Sequence, residues 1–417
     1  MQSEMLVLAA EARTRCADRI GMAKLAKAAF DGHDLKPLWA GLIARLLDGT
    51  AEAGEGIDVA LIAQLLGNKP AALAIQHEVL LSHQLFRTPC EAATPRLRVL
   101  ALAAATDMGS NTPIEFLLEN SDIELMTLYV IPEADLPSPL PDHDVAIVIA
   151  SDSEDCQHAL RRIDAVAARW PRPLLNPPKL IWNLDRDKLY RLLAGVEGLL
   201  IPATIPAARA GLVEVAEERA WLTTIAPDLV FPIIIRPRGS HAGVGLARVD
   251  DAIELSLYLD EQDEPEFFVA GFVDYASEDG LFRKYRVVFV DGQPYACHMA
   301  IASRWDIWYL NAGMGASESK RREEATFMQT FDIGFGRRHG TALAAIAAQI
   351  GLDYFIIDCA ETKDGALLVF EADNTAVVHN MDPADVYPYK APQMQRVFSA
   401  FAEMLERCVA QAREHAA

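Results

Sequence analysis

The chain has 417 residues, room for about two to three domains, and 51% of them are hydrophobic, enough for a large core. Its 59 acidic residues against 38 basic ones give a formal net charge of −21, which argues against the basic footprint that DNA or RNA binding needs. No apolar run reaches the roughly 18–20 residues of a membrane span, the six scattered cysteines form no CxxC pair, and Glu4, Glu11 and Arg13 interrupt any apolar leader. The expected setting is therefore a reducing cytoplasm, with neither a nucleic-acid nor a membrane partner.

Residues 1–93 read as a helical N-terminal region. An Ala-rich run reaches Phe30 and stops at Asp31-Gly32. Leu38, Leu42 and Leu46 mark a second helix over 35–47, and further helices are expected near 59–66 and 70–86. No chemistry is legible there, and packing or protein interaction is its expected role. Residues 94–183 alternate strand and helix. Strands are expected at 97–104, 123–131 and 144–150, with helices at 114–119 and 154–168, which implies an α/β domain with a mostly parallel sheet. The polar loop Thr106–Asn111 follows a strand's carboxyl end, where ligands often sit, although an ordinary connection explains it equally well.

Residues 184–417 read as α+β. A helix is expected at 186–193, followed by a β-rich run into Arg236-Pro-Arg238-Gly239-Ser240-His241-Ala-Gly243-Val-Gly245. Glycines let backbone N–H groups approach anionic oxygens, and the two arginines add charge. No Gly-Lys-Ser/Thr follows, and a strand rather than a helix comes next, so this is neither a Walker loop nor a dinucleotide fingerprint. A plain turn is the alternative. In 266–274, Val269, Phe272 and Val273 belong to an apolar strand and bend that can offer backbone bonds and walls to an adenine. Lys284–His298 forms an Asp291-Gly292 hairpin whose strand arginine, Arg286, needs an anionic partner. Arg304 and Asn311 follow in a loop-rich stretch. Helices are expected at 337–350 and 393–410.

Between those last helices lies the strongest signal. Asp353–Ala360 and Ala366–Asn374 read as strands around Asp364-Gly365, a two-residue turn signal. Pairing outward from that turn sets Asp358 directly opposite Glu371, with Cβ atoms about 4.5–5.5 Å apart. Like charges at that distance repel. A divalent cation would relieve them, and their hard oxygens suit magnesium. Asp373 and Asn374 extend the oxygen-rich rim. A solvated hairpin with two surface acids is the alternative.

The order of these parts, over about 94–417, resembles the ATP-grasp superfamily of carboxylate–amine ligases, which includes D-alanine–D-alanine ligases and ribosomal-protein glutamate ligases. The resemblance implies a pre-ATP-grasp α/β domain at 94–183 and the ATP-grasp fold at 184–417. It also implies ATP and Mg2+ as cofactors, and a small-molecule or peptide carboxylate and an amine as substrates. Asp187-Lys188-Leu189 matches the family's first nucleotide lysine, so Lys188 is assigned to ATP. Arg236 stands at the second lysine's place. With it, Arg238, Gly239, Ser240, His241, Gly243 and Gly245 would hold phosphates, and Val269, Phe272 and Val273 the base. Asp358 and Glu371 match the family's metal set; Asp373 occupies the usual asparagine place, with Asn374 next. Arg286 and Arg304 are the expected catalytic residues. Ala270-Gly271 replaces an acidic hinge residue, and Ile356 stands where D-alanine ligases carry arginine. The implied reaction passes through an acyl phosphate to an amide with release of ADP and phosphate. A kinase acting on a small molecule, and a nucleotide-binding interaction protein, are the alternatives. Dimers are usual in such proteins, and the helical N-terminus offers a surface for a carrier or protein partner.

Overall fold

The computed structural model describes residues 15–90, 92–240, 243–308 and 311–416. Three sheets organise these residues. The first has six strands, in the spatial order Ala17–Asp18, Leu85–Thr88, Ile123–Val130, Leu97–Ala104, Val145–Val148 and Leu174–Leu175. Every neighbouring pair is parallel except Leu85–Thr88 with Ile123–Val130. Leu97–Ala104 is apolar at nearly every position because it is buried on both faces, as central parallel strands are.

The N-terminal region holds helices Met22–Phe30, Lys36–Leu47, Ala53–Leu65 and Lys69–Ser82. Two strands of the first sheet also come from it, so the sheet spans the expected boundary at residue 93. The start of the Ala-rich run lies outside the described residues. A buried ion pair ties the region down. Arg19 donates to Glu115 at 2.9 Å and to Thr127 at 2.9 Å, while Asp58 accepts the backbone N–H groups of Ile20 and Gly21. The Thr106–Asn111 loop is occupied by the same docking. Thr106 O accepts from Gln76, Met108 N–H donates to Gln64, and Asn111 bonds both backbone groups of Ala104.

The second sheet is antiparallel, in the order Ala247–Val249, Ile233–Pro237, Glu266–Gly271, Ile205–Ala208, and helices Arg209–Ala216 and Ala252–Glu261 pack on it. This unit has its own small core, including Ile233, Ile235, Leu255, Phe267 and Val269. The third sheet runs Gln293–Ala302, Phe282–Val290, Tyr354–Glu361, Leu367–Asp373, Leu199–Leu200. It shares one continuous core with the first sheet, closed by the long C-terminal helix Lys390–Ala416. The fold class is therefore α/β followed by α+β, as the patterning implied. No helix among the described residues is long and apolar enough to cross a membrane.

Two polar links fix the third sheet to the first. Asn176 donates to Tyr354 O at 2.8 Å and accepts from Asp353 N–H at 2.8 Å. Thr112 donates to Asn374 O at 2.7 Å, and the Asn374 amide donates to Ala150 O at 2.9 Å. Both strands of the central hairpin are thereby held, at its open end, to the carboxyl edge of the parallel strands.

Candidate active site

Four residues form one row across the third sheet. His298 pairs with Arg286, Arg286 with Asp358, and Asp358 with Glu371. Directly paired residues share a face, so all four side chains rise from the same side. A β-bulge flanks the row at each end. On one side Val287 pairs with Ala296, leaving Cys297 unmatched; on the other Cys359 pairs with Val369, leaving Phe370 unmatched. Bulges re-aim side chains and concentrate near active sites.

The expected pairing of Asp358 with Glu371 is present, but its route differs from a two-residue turn. Thr362 and Ala366 close a three-residue loop, with Gly365 at φ 85°, and this shifts the ladder by one residue. The Phe370 bulge shifts it back. Without the bulge Phe370 would face Asp358, and Glu371 would turn to the opposite face.

Each carboxylate has its own cations. Asp358, 2% exposed, accepts two bonds from Arg286 at 2.8 and 3.1 Å and one ion pair from Lys284 at 2.7 Å. Burial disfavours its ionised form, yet Arg286 and Lys284 outweigh that and hold its pKa well below the ordinary carboxylate range. Glu371 pairs with Arg186, which also donates to the unmatched Phe370 carbonyl at 3.4 Å. Burial and Asp358 push the Glu371 pKa up, but Arg186, Lys284 and Arg236 together bring it down.

Arg236 leans into the Gly-rich loop. Its Nε donates to Ser240 Oγ at 3.0 Å and its Nη2 to Ser240 O. Burial, then the nearby Arg186, lower its pKa to about 10. Gly239, Gly243 and Gly245 all have positive φ. At Gly245 a Cβ would meet Pro237 Cδ at 2.5 Å, so the loop's return requires glycine there. Arg186, Arg236, Lys284 and Arg286 thus gather around two carboxylates beside a glycine loop, an arrangement suited to a polyanion.

Other expected site residues lie elsewhere. Lys188 is exposed and donates to Trp182 O at 3.2 Å; Arg186, two residues earlier, occupies the site instead. Arg238 is exposed, pairing with Glu266 at 3.0 Å. His241 lies outside the described residues. Val269 is fully buried between two strand neighbours, so it backs the site without lining it. Beyond it the Ile205–Ala208 strand has ended, leaving one backbone edge of Ala270–Gly271 open, while the Phe272 N–H donates to Pro232 O at 3.0 Å. The Phe272 ring carries the Arg248 guanidinium at 4.4 Å, and Val273 packs in a small cluster with Tyr275. Arg304 is spent on Asp306 in an exposed loop. From His298 the strand runs four residues away, roughly 13 Å, before that loop begins. Asn311 caps the same loop through Trp308 N–H and Asp306 O.

Among the described residues no three acidic, histidine or cysteine side chains form a metal cage. Magnesium, however, is commonly held by one or two carboxylates together with substrate phosphates. Two facing carboxylates meet that need. The Asn374 Oδ1 atom is buried with no hydrogen-bond partner among the described residues, but its amide nitrogen is turned to Ala150 O on the first sheet, away from the two carboxylates. Asp373 bonds Thr375 N–H at 2.6 Å and its hydroxyl at 2.8 Å, and burial raises its pKa. The two carboxylates would suit a cation that arrives with anionic oxygens of its own rather than one held in a prebuilt cage.

Sequence reasoning missed Arg186, Lys284 and a buried cluster at the other end of the row. Lys284 lies two residues before Arg286, on the same strand face, and period-two patterning points to it. Glu324, Lys390, Asp382 and Tyr389 gather beside His298 from separate segments, with no local signal.

No protein-family model matches the chain, and no curated protein does. Solved structures similar to it are ATP-grasp ligases and their relatives. A RimK-domain ATP-grasp protein from Sphaerobacter thermophilus is 18% identical, covering 74% of this chain and 99% of its own, with a TM-score of 0.43. A D-alanine–D-alanine ligase from Bacillus anthracis, complexed with ATP, is 14% identical over 77% of this chain and 100% of its own, at 0.45. The VanG D-Ala:D-Ser ligase from Enterococcus faecalis is 11% identical over 74% and 100%, also at 0.45. At such identities and scores the likeness carries no functional weight, and the chemistry of this chain rests on its own side chains.

Proposed function

We propose that this chain is an ATP-dependent carboxylate–amine ligase that forms an amide through an acyl phosphate and releases ADP and phosphate. The observation that carries this reading is the bulge-flanked row His298–Arg286–Asp358–Glu371, ringed by Arg186, Arg236 and Lys284 beside the glycine loop. Such a site stabilises charge that moves between phosphate and carboxylate oxygens, the main task of phosphoryl transfer.

Arg236 and the Gly239–Gly245 loop hold the nucleotide phosphates, and the open backbone edge at Ala270–Gly271 receives the base. A substrate carboxylate oxygen bonds to the γ-phosphorus as the bond to the ADP oxygen breaks. Lys284 and Arg186 face the charge that spreads over the transferring group. Arg286, fixed by Asp358, is a positive charge that needs no reorganisation. Asp358 and Glu371 would hold a magnesium ion together with the phosphates, and it would supply further neutralisation. An amine nitrogen then bonds to the activated carbonyl carbon and the bond to phosphate breaks. All six cysteines are free thiols, which agrees with a cytoplasmic setting. The helical N-terminus would present any carrier or protein partner.

The test is purified protein with ATP, magnesium and a cell metabolite extract. The reading predicts ADP and a new mass equal to acid plus amine minus water. Phosphate retained on an acceptor would instead mean a kinase, and ATP bound but never consumed would mean an interaction protein.

A further inference from the structure

The end of the row away from Glu371 is His298, and its surroundings are built with care. Its Nδ1 lies 3.7 Å from Glu324 Oε1. Glu324 comes from helix Glu318–Gln329, is wholly buried, and accepts from Met299 N–H at 3.2 Å and from the Tyr389 hydroxyl. Lys390 lies 3.3 Å from it and pairs with Asp382 at 2.8 Å. A carboxylate held on so many sides cannot turn away, so its charge stays beside the imidazole. The His298 side chain is 19% exposed and shares a face with Arg286. The phosphate-facing groups, Arg186 and Arg236, sit at the opposite end of the row.

We infer that His298 is the base that takes a proton from the attacking amine, with Glu324 as the residue that positions it. The inference deepens the ligase reading and rests on it. A protonated amine must shed two protons to become an amide nitrogen. One passes to His298 Nε2 and on to solvent, which frees the nitrogen lone pair that then attacks the carbonyl carbon; the other leaves the nitrogen as the bond to phosphate breaks and ends on the departing phosphate. With Nδ1–H toward Glu324, Nε2 is the acceptor. Among the described residues, the charged and titratable groups around the ring include Glu324, Lys390, Arg286 and His379, with Asp382 behind Lys390. Burial, the largest influence, lowers the ring's pKa and Glu324 opposes it, so the imidazole is neutral at pH 7 and able to accept.

The experiment uses the full chain with ATP, magnesium and a cell metabolite extract, with and without added hydroxylamine. Hydroxylamine is unprotonated at neutral pH and needs no base. Amide is read by mass, and trapped acyl phosphate as hydroxamate. His298→Asn is expected to form hydroxamate within about twofold of the wild type while amide formation falls about a hundredfold, the usual worth of a general base. Glu324→Gln is expected to move the acidic limb of the amide pH profile to lower pH, a shift that a merely structural role would not produce. If His298→Asn makes amide at the wild-type rate, or loses both products equally, the inference is overturned. If the wild type forms neither product, the ligase reading falls and takes the inference with it.

Discussion

Asp358 and Glu371 face each other across adjacent antiparallel strands, yet their direct ion pairs go to different cations: Asp358 to Arg286 and Lys284, Glu371 to Arg186. The repulsion expected of a facing acid pair is thus offset by cations on either side of it. A substrate polyanion entering there would compete for those cations, and a metal arriving with it would compete for the carboxylates.

Breaking these ion pairs should be costly for folding. Arg286→Met leaves Asp358 buried with Lys284 alone, and a loss of about 3 kcal/mol is expected, since removing one partner of a buried pair strands the other. Asp358→Leu added to Arg286→Met should recover most of it. Urea unfolding of the three proteins measures both effects.

The nucleotide should feel Arg186 and not Lys188. Arg186→Ala is expected to weaken ATP binding about tenfold, near 1.4 kcal/mol. Lys188→Ala, which removes an exposed side chain that donates to the Trp182 carbonyl, should stay within about twofold. Isothermal titration with ATP distinguishes the two.

Gly245→Ala should destabilise the glycine loop by about 1–3 kcal/mol. Its φ of 65° and the approach of Pro237 leave no place for a methyl group. A lowered melting temperature, with ATP binding weakened in parallel, is the expected outcome.

Acid should weaken the fold through His379. Burial lowers its pKa to about 4, against an ordinary 6.5, and its Nδ1 accepts from Met381 N–H at 3.0 Å. Between pH 6.5 and 4 the unfolded chain binds this proton and the folded chain does not. Stability from this group is therefore full above pH 6.5 and declines as pH falls toward 4, by at most about 3 kcal/mol. Unfolding free energies at pH 4.5 and 7 should differ less in His379→Asn than in the wild type.

Much of the fold was legible because its signals are local. Leu97–Ala104 and Arg186–Leu193 stand at their expected bounds. Asp291-Gly292 makes the expected two-residue turn, with φ of 49° and 73°. Asp364-Gly365, the same dipeptide, belongs to a three-residue loop instead. The pairing inferred from it holds only because the Phe370 bulge cancels the offset, and nothing in the neighbouring sequence marks a bulge. The Asp187-Lys188-Leu189 context points to Lys188, whereas the fold turns Arg186 toward Glu371. The support of His298 by Glu324 and Lys390 joins residues far apart in the chain, and only the tertiary structure brings them together.

The most direct test of the site is ATP turnover by the Asp358→Asn, Glu371→Gln double variant, measured as ADP formed with magnesium and a cell metabolite extract. Circular dichroism would confirm that the variant is folded. Loss of magnesium-dependent turnover in a folded protein is the predicted result. Turnover at the wild-type rate would contradict the placement of the ATP site on this row.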